Sequence, residues 1–294
     1  MADSKKNLPT TKVGIITDSI ACLTSELASR YEIEIVPHSF HLNGKIYKDW
    51  VDITPSEAYE LFLKDQKSFY TSPASPTDYL QAYHKVSKQA GNIICITLSS
   101  KLSTAYDVAR VAMEQARGEL PQTSIEVIDS QTATAAEGLV VLAAARAAVQ
   151  GKKLAEVAGN ARKICDKIEL IALMDTVRYV YRSGRIPKLA SKMGSILKIK
   201  PMFTISSGTV HVLGMVRNRE VGINRLVDIM KGKLGKARVH VAVMHAFAPD
   251  DAKSLMERVS SKFNCVELWL TEFSPLMVYA CGTGTLGMAF YKED

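Results

Sequence analysis

Hydroxyl and carboxyl side chains stand where four apolar, strand-like runs of this chain stop. Val13-Gly14-Ile15-Ile16 ends at Thr17-Asp18-Ser19, and Ile93 to Leu98 ends at Ser99-Ser100. Ile125-Glu126-Val127-Ile128 ends at Asp129-Ser130, and the weaker run Phe69-Tyr70 ends at Thr71-Ser72. Open α/β sheets bind ligands outside the carboxyl ends of their parallel strands. Hydroxyls and helix N-termini gathered there suit a small anionic head such as a carboxylate. That rim offers no fixed cation, metal cluster or glycine-rich phosphate loop, so it suits holding a ligand better than making or breaking bonds.

Other chemistries find less support. The six histidines (His38, His41, His84, His211, His240, His245) show no H-x-x-x-H spacing and no nearby cysteine ligands, which argues against a metal site. Ser99 and Ser100 do not sit in G-x-S-x-G, and Gly282-Thr283-Gly284 lacks the strand-first order of a dinucleotide fingerprint. The five cysteines are far apart and mostly within apolar runs, as expected of buried thiols in a reducing cytoplasm. A net charge of +7 decides little, and no nucleic-acid signature accompanies it. The basic run Arg182, Arg185, Lys188, Lys192, Lys198 and Lys200 reads first as a solvated face, with docking of an acidic partner as the sharper alternative.

Behind the rim the spacing predicts repeated β-α units. Helices are expected over 23–30, 54–64, 75–89, 102–117 and 132–150. Thr54-Pro55 and Ser75-Pro76 give paired cap-and-proline starts, and Ser100 is a candidate cap for the helix at 102. Leu42-Asn43-Gly44 between extended runs signals a hairpin. The second half reads as a helix at 154–167, a strand at 169–173, a basic helical region at 178–200 and a hairpin around Ser206-Ser207-Gly208. Helices at 222–233 and 250–263 then alternate with strands at 239–244, 266–270 and 286–290. The fold class is α/β, with a mainly parallel sheet and flanking helices first and a mixed sheet with helices second. A length of 294 residues favours two domains, placed at 1–167 and 168–294. The most apolar stretch, 138–149, is too short to span a bilayer, and the first residues carry no apolar signal core.

Ile16-Thr17-Asp18-Ser19, Thr71-Ser72-Pro73-Ala74-Ser75 and Leu98-Ser99-Ser100-Lys101-Leu102-Ser103 resemble motifs of the DegV family of bacterial proteins. So do Arg178 to Ile186, Lys200-Pro201 and Gly282 to Gly287, so that the similarity extends over nearly the whole chain. The resemblance implies a non-enzymatic, cytoplasmic protein that holds one long-chain fatty acid between two domains. It implies no cofactor and no metal. The head group would lie at Thr71 and Ser100, with Ser72 and Ser99 beside them. Some members present the acid to a separate fatty acid kinase, and Arg217 and Arg219 resemble a position tied to that cooperation. Three departures stand out: Ser103-Thr104-Ala105, Gly282-Thr283-Gly284, and Ala280 where the family often has histidine. The residues themselves leave open an enzyme, hydrolase or transferase, working at the Thr71/Ser100 rim, or a binder of another amphiphile.

Overall fold

The computed structural model describes residues 11–176, 178–184 and 199–293. Its first half runs β1 (Val13–Asp18), a 3-10 turn (Ser19–Ala21), α1 (Ser25–Arg30), β2 (Glu34–Val36), β3 (Ser39–Leu42), β4 (Lys45–Lys48) and α2 (Pro55–Lys64). It continues through β5 (Tyr70–Ser72), α3 (Pro76–Ser87), β6 (Asn92–Thr97), α4 (Ala105–Glu119), β7 (Ser124–Asp129), α5 (Ala135–Val149) and α6 (Leu154–Cys165). The second half holds β8 (Glu169–Leu173), α7 (Arg178–Ser183), β9 (Lys200–Ser206), β10 (Thr209–Val216), α8 (Arg219–Leu234) and β11 (Arg238–His245). It closes with α9 (Pro249–Lys262), β12 (Asn264–Glu272), α10 (Pro275–Cys281) and β13 (Leu286–Lys292).

Among the described residues three sheets form. A parallel one has the order β2-β1-β6-β7, and a small antiparallel one has the order β4-β3-β5. The third has the order β10-β9-β8-β13-β11-β12, with only β11 and β12 parallel. The fold is therefore α/β, with a parallel sheet first and a mixed sheet second, as the pattern predicts. β6 reads as a continuous apolar run because five of its six residues are buried. Helix α5 is buried almost all round its circumference, as an apolar, alanine-rich helix must be. It packs in one continuous core with Ile94 and Ile96 of β6 and with Ala242 and Met244 of β11.

Local signals place many of the ends. Thr54 and Ser75 each close a capping box with proline at the first helical turn. Asn43 and Gly44 turn the β3–β4 hairpin at φ 50° and 77°. Other expectations shift. Thr71 and Ser72 end β5, which joins the antiparallel sheet and not the parallel one. Helix α4 starts at Ala105, so Ser100 does not cap it: its hydroxyl is turned to Asp129 instead. Helix α10 had no place in the predicted order, although Ser274 caps it and Pro275 opens it. Of the basic region 178–200, residues 178–184 and 199–200 are described: Arg178–Ser183 is helical, Lys200 opens β9 instead of continuing a helix, and Arg185, Lys188, Lys192 and Lys198 lie outside the described residues.

Candidate ligand-binding site

The carboxyl edge of the parallel sheet is knitted together by the residues that end its strands. Asp18 accepts from Ile20 N at 2.9 Å and from Leu98 N at 3.0 Å, joining the end of β1 to that of β6. Ser130 N donates to Thr97 O at 3.1 Å, and Ser99 N donates to Thr132 O at 2.8 Å. Ser100 donates through its hydroxyl to Asp129 Oδ2 at 2.5 Å, and its backbone N donates to Oδ1 at 3.2 Å. Each hydrogen bond to a charged carboxylate is worth roughly 1.5–3 kcal/mol. The knitting fixes the two loops that follow β6 and β7.

Those loops overhang a mostly apolar cavity between the parallel sheet and the mixed one. From the first half it is lined by Ile20, His38, Thr71, Ser72, Pro73, Leu98, Leu102, Ser103, Ala133 and Thr134. The second half contributes Leu170, Ala172 and Met174, then Ser183, Phe203, Thr204, Ile205 and Val210. Phe273, Leu276, Met277, Ala280, Cys281 and Thr285 complete that wall. Thr285 spends its hydroxyl on Cys281 O at 3.0 Å and Gly282 O at 2.9 Å. Thr134 holds φ 60°, a rare conformation for a β-branched residue, and its hydroxyl donates to Ala133 O.

The four hydroxyls predicted to hold a head group divide. Thr71 and Ser72 line the cavity, and Ser72 Oγ lies 3.1 Å from His41 Nε2. Ser99 is fully buried and donates to Gly208 O at 2.8 Å, across to the β9–β10 turn. Ser100 is exposed and engaged with Asp129. Neither Ser99 nor Ser100 is among the lining residues. His38, Ser103 and Thr134 do line it. The sequence signal for Ser103 was inside the quoted motif. For His38 there was only Asn43-Gly44, which marks the hairpin beginning one residue after it.

Behind the cavity lies a buried acidic group. Thr17 Oγ1 donates to Glu137 Oε1 at 3.1 Å, and Ser274 Oγ donates to Asp49 Oδ2 at 2.5 Å. Burial pushes the carboxyls of Glu137 and Asp18 up, and that of Asp49 up to about 7. Burial likewise raises the thiols of Cys22 and Cys281 (the latter to about 12), and all five cysteines are free. His245 ends β11 and borders a separate cleft with Trp50 and Phe247.

Arg217 is exposed. Arg219 opens α8 and is tied inward: Nε donates to Asp251 and Nη1 donates to Gly284 O at 2.7 Å. Asp175, paired with Lys200, lies 3.5 Å from the same guanidinium. Gly282 of the Gly-Thr-Gly motif sits at φ 80°, where an added Cβ would stand 2.1 Å from the Tyr179 ring.

Together the fold and the site define an α/β protein whose parallel and mixed sheets hold a mostly apolar cavity edged by hydroxyls. The chain belongs to the DegV family: the family model described as "Uncharacterised protein, DegV family" matches residues 12–293. A DegV domain-containing protein of Clostridium perfringens is 32% identical over 283 residues, covering 96% of this chain and 99% of that one. Among solved structures, a DegV family protein from Thermus thermophilus, described by its fatty acid binding, matches with a TM-score of 0.88 at 25% identity. The match covers 96% of this chain and 100% of that one. Bacillus subtilis DegV, described as a fatty acid binding protein, shares the fold at a TM-score of 0.86 and 21% identity, covering 97% and 100%.

Proposed function

We propose that this chain binds one long-chain fatty acid in the cavity between its two halves, 1–167 and 168–294, and presents the carboxylate to a partner such as a fatty acid kinase. The cavity lining carries the proposal. A wall of leucine, methionine and phenylalanine faces a strand end that offers the hydroxyls of Thr71 and Ser72. Described fatty acid binding by the Thermus thermophilus relative supports the same ligand class. Each buried CH₂ contributes about 0.8 kcal/mol, so a long acyl tail is worth roughly 10 kcal/mol before ordering costs. The hydroxyls then set which end of the ligand stays near the first half. Ser99 and Ser100 serve the site through the loop they anchor, and exposed Arg217 is the member of its pair available to an acidic partner surface, with Arg219 holding α8 behind it.

Solvent extraction and native mass spectrometry of the purified protein test the ligand class: a long-chain fatty acid is expected. A protein that emerges empty and stays empty with added oleate would defeat the reading. Thr71→Ala is expected to raise the dissociation constant for oleate about tenfold, the loss of one hydrogen bond to a charged group. Ser100→Ala, whose hydroxyl is taken by Asp129, should change it less than about threefold by the same measure.

A further inference from the structure

An ionised carboxylate drawn into an apolar cavity needs a compensating charge or a full set of donors. Among the described residues lining this cavity there is no lysine and no arginine; the one basic side chain is His38. It stands on the link between β2 and β3, only 2% exposed, and its backbone is clamped on both sides. His38 N donates to Ser19 Oγ at 3.1 Å, and Asp49 N donates to His38 O at 2.9 Å. Its Nε2 is buried without a hydrogen-bond partner among the described residues. Asp18 Oδ2 lies 3.8 Å from that nitrogen, too far to bond but close enough to orient a charged ring. Asp18 itself is held by two backbone N–H groups and does not need the imidazole to satisfy it.

Resting on the fatty-acid reading above, we propose that His38 is the cationic head-group residue of this site, with Asp18 as the residue that orients its ring, so that binding a fatty-acid anion takes up one proton. The balance is simple: neutral imidazole, one proton and a carboxylate give an imidazolium–carboxylate pair, with no covalent step. Burial pushes His38 down in the empty protein, while Asp18 on β1 and Asp78 at the start of α3 pull it the other way. A second carboxylate at the ring adds to that pull. Between the two resulting titration points, affinity falls about tenfold for each pH unit of rise.

The experiment measures equilibrium binding of oleate and of methyl oleate from pH 6.5 to 8.5. The acid is expected to lose about tenfold in affinity per pH unit in part of that range, and the ester to show no slope. His38→Leu should flatten the slope and weaken oleate about tenfold at pH 6.5 while leaving the ester within about twofold. His38→Gln, which keeps a neutral donor of similar size, should also be flat and covers the case in which His38→Leu fails to fold. Asp49, pushed up to about 7, falls in the same window, and a second imidazole, His41, lies close by with its Nε2 against Ser72 Oγ. Asp49→Asn and His41→Gln should each keep the slope. A slope that survives in both His38 variants, or equal weakening of acid and ester, overturns the proposal. Failure of the wild type to bind either probe would instead bring down the fatty-acid reading on which it rests.

Discussion

At the scale of single residues, the chain invests its strand-end carboxyls and the hydroxyls of Thr17, Ser99 and Ser100 in structure and leaves Thr71 and Ser72 to the cavity. Asp18 takes backbone donors from Ile20 and Leu98, and Asp129 takes backbone donors from Ser100 and Gln131 together with the Ser100 hydroxyl, a use of short acids at loop starts that satisfies backbone groups helices and strands leave open. Asp49 shows the cost of burying such a group. Its carboxyl accepts from Ser274 Oγ, yet burial still pushes it from 3.8 up to about 7. An acid raised in the folded state binds more protons folded than unfolded, so stability falls as pH rises from about 4 to about 7 and stays reduced above that. Asp49→Asn keeps an acceptor for Ser274 and removes the titration. Thermal unfolding should therefore show the variant gaining on wild type between pH 5 and pH 8, by at most about 2.5 kcal/mol for a shift of that size. A difference between variant and wild type that does not change with pH would mean that Asp49 stays ionised in the fold.

At the scale of elements, the β9–β10 hairpin is the part that closes the cavity. Phe203, Thr204, Ile205 and Val210 give it a wall, and its tip is fastened to the loop after β6. Ser99 Oγ donates to Gly208 O at 2.8 Å, and Lys101 Nζ donates to Ser207 O at 2.9 Å. Gly208 sits at φ 78°, and a Cβ there would stand 2.6 Å from Ser99 Oγ. Gly208→Ala thus combines backbone strain of about 1–2 kcal/mol with displacement of the clasp. Stopped-flow release of a fluorescent fatty acid should be faster by several-fold, with a lower melting temperature; unchanged release would show that the clasp does not gate the ligand. This hairpin was legible in sequence as two extended runs around Ser206-Ser207-Gly208, as were the capped helices and the apolar strands, because turn residues and period are local signals. Its docking on Ser99 and Lys101 was not legible, since those partners lie more than a hundred residues away. The same limit hid the site's division of labour. Hydroxyls at a strand end look alike in sequence, and only long-range pairing separates them: loop-to-loop bonding turns Ser100 to Asp129, while the pairing of β5 with β3 sets Ser72 at the cavity. Helix α10 carries the cap-and-proline pair Ser274-Pro275, but at 7 residues directly after β12 it is too short to show a helical period.

At the scale of the whole molecule, the two proposed halves share a core and a set of buried and half-buried bonds. The largest apolar cluster joins Val13 and Ile15 of β1 to Met244, Trp269, Phe273 and Tyr291 through helix α5. Arg146 of that helix pairs with Glu267 of β12. Thr271 Oγ1 donates to Cys22 O at 2.8 Å, and Ser56 Oγ donates to Glu272 Oε1 at 2.7 Å. A ligand seated between the halves touches both, so its binding energy adds to the stability of the one shared unit. Calorimetry of the delipidated protein should accordingly give a single unfolding transition. Oleate at a hundred times its dissociation constant should stabilise it by about 2.7 kcal/mol, which for a chain of this length is roughly 4 °C in melting temperature. Two transitions, with oleate moving only one, would mean that the halves unfold independently and that the ligand belongs to one of them. A single transition that rises with the fatty acid ties the cavity to the core that α5 builds across both sheets.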